Sequence, residues 1–315
     1  MKNIAIFGAG MLGKYLYKYF QKFNKNLYNV TLYSHNELDI TDTDAVENII
    51  KQNNYIINCA AYTNVDKAET EIDLCMDVNG MCLQNIAKFC NIYNVKLIHI
   101  STDFVYGYVK SKGFNQELLE TDELNPINVY GISKQLGELN IINEMTQDYL
   151  ILRVSWLFGP DNANFISKIV DKIMDNNIPN FSVVNDQYGR PTSVYLIKNI
   201  IYEYINDFIP DGIYNLQNDG EIINKFQLAQ FINDNLNIHK KIYQTTSNEF
   251  PSPAKRQFNS IFSCKKLDSI RENKRQTWKE DVLIYLNTIC PNLIKKSLKD
   301  KIKEFLKNMK KVLYF

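Results

Sequence analysis

A tyrosine and a lysine four residues apart, in Tyr130-Gly131-Ile132-Ser133-Lys134, lie downstream of Ile100-Ser101-Thr102-Asp103. At that spacing a phenol and an ammonium share one face of a helix. A neighbouring cation favours the phenolate and so lowers the pKa of Tyr130. Tyr130 then reads as a proton donor to a carbonyl oxygen that is receiving a hydride, and the Thr102 hydroxyl would steady the same oxygen. Chance supplies many Tyr-x-x-x-Lys matches in a chain with 20 tyrosines. The pair carries weight only where a nucleotide-binding fold surrounds it.

Such a fold is signalled at the start of the chain. Gly8-Ala9-Gly10-Met11-Leu12-Gly13 follows an apolar run, residues 4–7, and opens a helical pattern, residues 11–23. Gly8 permits a tight turn, Gly10 lets a pyrophosphate approach the backbone, and Gly13 permits close helix packing. The helix N-terminus offers oriented N–H groups and positive potential to phosphate. Further apolar runs at 30–33, 55–58, 97–100 and 150–154 alternate with helical patterns at 42–51, 73–90 and 129–144. Thr41 is placed to cap the helix at 42–51. Strands apolar on both faces, alternating with helices, predict an α/β fold: a doubly wound parallel (Rossmann) sheet. The second strand ends Thr31-Leu32-Tyr33-Ser34-His35, with no acid for a ribose 2′-hydroxyl and no Arg or Lys for a 2′-phosphate. NADH and NADPH both stay open, and the missing acid leans the choice toward NADPH.

Beyond Trp156 the pattern is less regular. Helices are expected at 164–174, 194–206, 225–236 and 278–287, with strands at 181–184 and 212–216. The expected organisation is a dinucleotide-binding domain at 1–155, to which parts of 190–218 return, and a smaller α+β substrate lobe at 156–290. A basic amphipathic tail at 291–315 follows.

Composition excludes several classes. The 315 residues are 45% hydrophobic and 23% charged, enough to bury a core and stay soluble. A net charge of +1 argues against nucleic acid as a partner. No apolar run is long enough to span a bilayer. The first residues read straight into a strand, not a signal peptide. Six cysteines without a Cys-x-x-Cys pair are expected to be reduced thiols in a cytoplasmic protein. Three histidines without metal-like spacing give no reason to expect zinc.

Longer motifs point to a family. Asp39-Ile40-Thr41-Asp42, Asn58-Cys59-Ala60-Ala61-Tyr62-Thr63-Asn64-Val65-Asp66, Val78-Asn79, Ile100-Ser101-Thr102-Asp103-Phe104-Val105-Tyr106 and Asn125-Pro126-Ile127-Asn128-Val129-Tyr130 resemble the extended short-chain dehydrogenase/reductases. Arg153-Val154-Ser155-Trp156, Asn185-Asp186-Gln187-Tyr188-Gly189-Arg190-Pro191-Thr192 and Pro253-Ala254-Lys255-Arg256 narrow the resemblance to the dTDP-4-dehydrorhamnose reductase family. It implies NAD(P)H-dependent reduction of the C4 keto group of a nucleotide-linked 6-deoxysugar, dTDP-4-dehydro-L-rhamnose, to dTDP-L-rhamnose. Tyr130 would protonate the C4 oxygen, Lys134 would hold the nicotinamide ribose and depress the tyrosine, and Thr102 would be the third catalytic group. Asp103 would contact the sugar. Gly10, Met11 and Leu12 would line the pyrophosphate, Asp39 and Ile40 the adenine side, and Ala61, Tyr62 and Thr63 the length of the coenzyme. Trp156 would pack on the thymine base, and Arg256 would contact a phosphate. Trp156 as plain core and Asp39 as a turn cap are the plainer readings.

The chain departs from the family's pattern in places. The glycine loop has one fewer residue between its first two glycines. Phe104 stands where a tyrosine is common, and Tyr106 where a phenylalanine is, which would relocate a phenol near the sugar. The segment 108–120 is longer than usual, and Gln257 replaces a proline. The first helix, Lys14-Tyr15-Leu16-Tyr17-Lys18, lacks the glutamates that hold a metal between subunits in some relatives, so no metal is expected. A reductase or epimerase of another nucleotide sugar, and a non-catalytic NADP-binding regulatory subunit, are the rival readings. A homodimer stays open. Residues 291–315 carry eight lysines against two acids. Packing on the protein itself or a partner is favoured over a weak hold on an anionic membrane surface.

Overall fold

The computed structural model describes residues 1–23, 26–108, 116–161 and 163–295. Five strands alternate with helices through the first half: β1 (Lys2–Phe7), β2 (Tyr28–Tyr33), β3 (Tyr55–Asn58), β4 (Lys96–Thr102) and β5 (Tyr149–Val154). The strand Gly212–Leu216 returns to the same sheet, whose order is Gly212–Leu216, β5, β4, β3, β1, β2, all parallel. Strand order reverses between β1 and β3. In doubly wound sheets the crevice beyond the strand C-termini at that reversal receives the ligand.

The apolar runs have no polar alternation because both faces are covered. Ala5, Phe7, Ile56, Leu97 and Ile151 pack with Val46, Leu83 and Ile86 from the helices α2 (Thr43–Ile50) and α5 (Cys82–Tyr93). Ile4, Ile6, Ile57, Ile98 and Leu152 pack with Leu12, Leu16 and Phe20 of α1 (Met11–Phe23) and with the helix Val194–Ile205. Each fully buried aliphatic side chain contributes about 1.5–3 kcal/mol, so this two-sided core is the main stabilising term.

Two local expectations are corrected. Asp42, not Thr41, caps α2: its Oδ1 accepts from Ala45 N–H at 3.1 Å. The Thr41 hydroxyl is already used, donating to Asp39 at 2.8 Å. The helix expected at 73–90 is three pieces, α4 (Ile72–Met76), a π turn (Asp77–Met81) and α5; a short α3 (Val65–Ala68) precedes them. The cause is a close crossing with α6 (Val129–Glu144). A Cβ on Gly137 would lie 2.3 Å from Asn79 O, and one on Gly80 would lie 2.8 Å from the Leu136 side chain. The π turn aims Asn79 inward, where its amide donates to Tyr62 O at 3.0 Å and Ser133 Oγ at 3.1 Å. Single π turns of this kind often mark functional sites.

The rest of the chain builds a smaller set of sheets. Asn180–Val184 pairs in parallel with Lys241–Thr245, and Tyr188–Gly189 lies between Ile223–Asn224 and Asn259–Ser260. The Lys241–Thr245 strand escapes the sequence reading because most of its side chains are exposed and polar. No helix among the described residues is long and apolar enough to cross a membrane. The amphipathic stripe expected beyond residue 295 lies outside the described residues.

A buried ion pair joins α6 to β5. Arg153 and Glu138, 3% and 1% exposed, meet at 2.6 Å, and Arg153 Nε also donates to Glu138 at 3.0 Å. Ser101 donates to the same carboxylate. Arg153 Nη1 donates to the Tyr106 hydroxyl at 2.8 Å, which itself lies 2.8 Å from Asn215 Oδ1. Tyr106 is therefore a fully buried part of this network, and the relocated phenol does not face the cleft. Removing one partner of a buried pair strands the other charge. Glu138→Ala is expected to destabilise the fold by about 3–5 kcal/mol. The Glu138→Leu/Arg153→Met double variant should cost much less. Urea denaturation of the three proteins checks this, and equal losses in the single and double variants would contradict it.

Candidate functional site

The loop after β1 is shaped by two glycines. Gly8 has φ +95°, a conformation L side chains rarely adopt, and a Cβ there would lie 2.6 Å from Ala60 backbone atoms. A Cβ on Gly13 would lie 2.0 Å from Gly8 O, so the first turn of α1 packs against the loop only without one. Gly10 has nothing within 4 Å of its Cβ position. Its backbone borders open space at a helix N-terminus, the surface an anionic pyrophosphate needs. The shorter glycine spacing thus still leaves open backbone at the start of α1.

This loop edges a cavity of about 820 Å³ along the C-terminal ends of the sheet strands. That volume suits a dinucleotide together with part of a second ligand. Gly8, Gly10, Met11, Leu12 and Gly13 line one end. Asp39 and Ile40 follow β2, and Ala61 and Thr63 follow β3. Thr102 and Asp103 end β4, Tyr130 and Lys134 come from α6, and Trp156 follows β5. Ser34, His35 and Asn36 also line it, as the tip of β2 predicted for the adenosine ribose. Glu37 folds back there: its carboxylate accepts from Ser34 N–H at 2.8 Å and Oγ at 2.6 Å. An acid therefore does stand beside the tip, two residues past the span read in sequence.

Two expected residues are not in the wall. Tyr62 turns its hydroxyl to Glu71 at 2.5 Å, while its N–H donates to Asn79 Oδ1 at 2.8 Å. Arg256 donates to Asp66 at 2.9 Å and to Ala254 O at 3.1 Å, its guanidinium 5.9 Å from the Phe104 ring. Asp39 lines the cavity and also closes a turn, accepting from Thr41 N–H at 2.9 Å, as the plainer reading has it.

At the inner end, hydroxyls and charges are packed together, with Thr102, Asp103 and Lys134 buried and Tyr130 partly exposed. Thr102 caps the turn after β4, accepting from Phe104 N–H at 3.3 Å and donating to Asp103 Oδ1 at 3.0 Å. Tyr130 sits in the first turn of α6, fixed by the Asn128 cap, which accepts from Gly131 N–H at 2.8 Å. Its ring meets Phe104 edge-on at 5.4 Å, and it lines the cavity together with Thr102. Burial pushes the Tyr130 phenol above its ordinary value, and the Thr102 hydroxyl opposes that rise. The depression expected from Lys134 is not found: desolvation leads the shift, and Lys134 is not among the groups that act on the phenol. Lys134 instead donates to Ile100 O at 2.8 Å and meets His99 Nε2 at 2.9 Å.

Burial also acts on the neighbours. It brings Lys134 down to about 8, against the attraction of Glu138. It holds the His99 ring well below its ordinary value, helped by Lys134, so His99 is neutral. His99 Nδ1 lies 3.2 Å from Asn58 Nδ2. Sequence reasoning passed over His99; the available signal was a polar residue within an otherwise apolar strand. Asp103 is raised by burial, with bonds to Ser260 and Thr102 and the charge of Lys225 opposing. Trp156 is held at φ +47°, a left-handed conformation that costs a non-glycine residue about 1–2 kcal/mol. Strain of this kind collects where a side chain must be aimed. Among the described residues no cluster of His, Cys, Asp or Glu could hold a metal ion.

Known proteins share this arrangement. A family model described as RmlD substrate binding domain matches residues 1–290. The chain is 32% identical over 283 residues to a dTDP-4-dehydrorhamnose reductase of Aggregatibacter actinomycetemcomitans, covering 85% of this chain and 92% of the relative. It is 30% identical over 282 residues to one from Mycolicibacterium smegmatis, covering 89% and 83%. A crystal structure of dTDP-4-dehydrorhamnose reductase from Bacillus anthracis in complex with NADP superposes with TM-score 0.83 at 30% identity, covering 91% of this chain and 99% of that one.

The depressed Lys134 has a thermodynamic signature. Its folded value, about 8, lies below the ordinary 10.5, so between these the unfolded chain binds more protons and stability rises with pH. Relative to Lys134→Met, the wild type should gain stability steadily from pH 8 to 10.5 and show a constant difference below pH 7. Paired denaturation curves across that range measure it; a flat difference would contradict the burial of a titrating amine.

Proposed function

The chain belongs to the RmlD substrate binding domain family, and from that premise we propose that it reduces the C4 keto group of dTDP-4-dehydro-L-rhamnose to dTDP-L-rhamnose with NAD(P)H. The observation that carries the reading is the convergence of Thr102, Tyr130 and Lys134 at the inner end of the cavity that the glycine loop opens. The coenzyme, when bound, supplies the hydride. The glycine loop and the N-terminus of α1 hold its pyrophosphate, and Lys134 holds ribose hydroxyls.

The chain's own part is proton delivery and positioning. Because burial raises the Tyr130 phenol, it is fully protonated at neutral pH, as a proton donor must be. An alkoxide formed at C4 is more basic still and takes that proton. Thr102, tied to Asp103, fixes the carbonyl oxygen beside the phenol. Asp103 presents a buried carboxyl group to sugar hydroxyls. Trp156 offers an indole surface to the thymine ring, a flat apolar partner. Arg256 has its charge taken by Asp66 and is given no role. The free state of all six cysteines supports a cytoplasmic setting.

Tyr130→Phe is expected to lower kcat by about 10²–10⁴-fold, the range for losing a general acid, while coenzyme affinity stays close to wild type. NADPH absorbance with the 4-keto sugar measures the first and coenzyme titration the second. Unchanged turnover in the variant would remove Tyr130 from the mechanism.

A further inference from the structure

One cation near the cleft has no use in the account so far. Lys225 is the first residue of the helix Lys225–Asn235, directly after the Asn224 cap. A helix N-terminus carries partial positive charge, so a lysine there is electrostatically misplaced. Its Nζ lies 3.7 Å from the Trp156 ring centroid and 4.5 Å from that of Phe165. Among the described residues its ammonium donates no hydrogen bond and enters no ion pair, while its backbone N–H donates to Gln187 O at 3.2 Å. The one charge that acts on it is Asp103, whose own bonds go to Ser260 and Thr102. An ammonium with three unspent donors, in a half-buried setting of aromatic faces, costs stability unless an anion completes it.

We propose that Lys225 is a specificity-determining residue that binds the diphosphate of the nucleotide sugar. The inference rests on the function proposed above and deepens it. Its first support is position. Trp156 is the surface for the base and Asp103 the group for the sugar. Lys225 is coupled to both, and the diphosphate is the part of the substrate that lies between base and sugar. Its second support is charge. The acids in the cavity wall, Asp39 and Asp103, would repel a dianion, and the other basic candidate, Arg256, is paired with Asp66. Lys134 meets His99 and Ile100 O in the sheet, and its remaining donor is assigned to the coenzyme ribose. Among the described residues, Lys225 is thus a cation beside the substrate-side indole with donors to give. Its third support is the response to an anion. Burial brings Lys225 down to about 7, against the pull of Asp103. A diphosphate would raise it, so ligand binding above pH 7 draws in a proton.

Two probes separate this role from mere packing on Trp156. dTDP-L-rhamnose carries a diphosphate diester whose charge is constant between pH 6 and 9; thymidine carries the base without it. In Lys225→Met the stem still covers the aromatic rings. The variant should bind dTDP-L-rhamnose about 10- to 100-fold more weakly, the usual loss for a charge-assisted hydrogen bond. Inhibition by thymidine and NADPH affinity should stay near wild type, and Lys225→Arg should recover most of the loss. Calorimetry in buffers of different ionisation enthalpy should show proton uptake at pH 8 in the wild type and none in Lys225→Met. Equal weakening for thymidine and dTDP-L-rhamnose, or no weakening for either, overturns the assignment. A wild type that binds NADPH but not dTDP-L-rhamnose would instead sink the substrate reading itself.

Discussion

Desolvation at the C-terminal ends of β4 and β5 is the constraint on which the site depends. Lys134, His99, Asp103 and Thr102 are all withdrawn from water there, and Tyr130 is largely so. Each shift away from an ordinary pKa is led by burial, with neighbours only trimming it. Loss of water strengthens every hydrogen bond in the group and makes each unsatisfied atom costly. The phenol therefore keeps its proton, the imidazole stays neutral, and the amine is tied to a carbonyl. These are consequences of one dry environment rather than independent adjustments.

That environment is kept dry by backbone proximity. Gly80 and Gly137 let the π turn and α6 approach more closely than side chains allow, and Asn79 fills the seam with hydrogen bonds. At the next position of α6, Glu138 is clamped by Arg153 and Ser101. The helix that carries Tyr130 and Lys134 is thus fixed at its start by the Asn128 cap and at its middle by a buried charge pair. A general acid works only when held at hydrogen-bond distance from the atom it protonates. The structural cost of two glycines and a buried ion pair on α6 is understandable in those terms.

Charge is distributed unevenly between the two ends of the cleft. The coenzyme end relies on backbone N–H groups and a helix N-terminus, which need no formal cation. The substrate end is lined by Asp103 and Trp156, and its basic residues are largely spoken for by Asp66 and by the sheet. Lys225 supplies the missing positive charge from the smaller set of elements. It does so from a helix position that propensity alone would disfavour, the kind of local conflict expected at functional sites.

The alternation of apolar runs with helical patterns, the glycine loop and the Tyr130/Lys134/Thr102 set were legible because they are local. Strand burial on both faces, helix periodicity and a turn requiring positive φ are each written within a few residues. Long-range choices were not legible. Whether Arg256 would face the cleft or Asp66, whether the Tyr106 phenol would meet sugar or Arg153, and whether Tyr130 would be lowered by an amine or raised by burial depend on groups distant in the chain. Asp66 is 190 positions from Arg256, and Arg153 is 47 from Tyr106. The sequence by itself determined the sheet, the phosphate loop and the chemistry on offer. Only the tertiary structure decided which charges are spent and which remain, because desolvation and pairing are properties of neighbours brought together by folding.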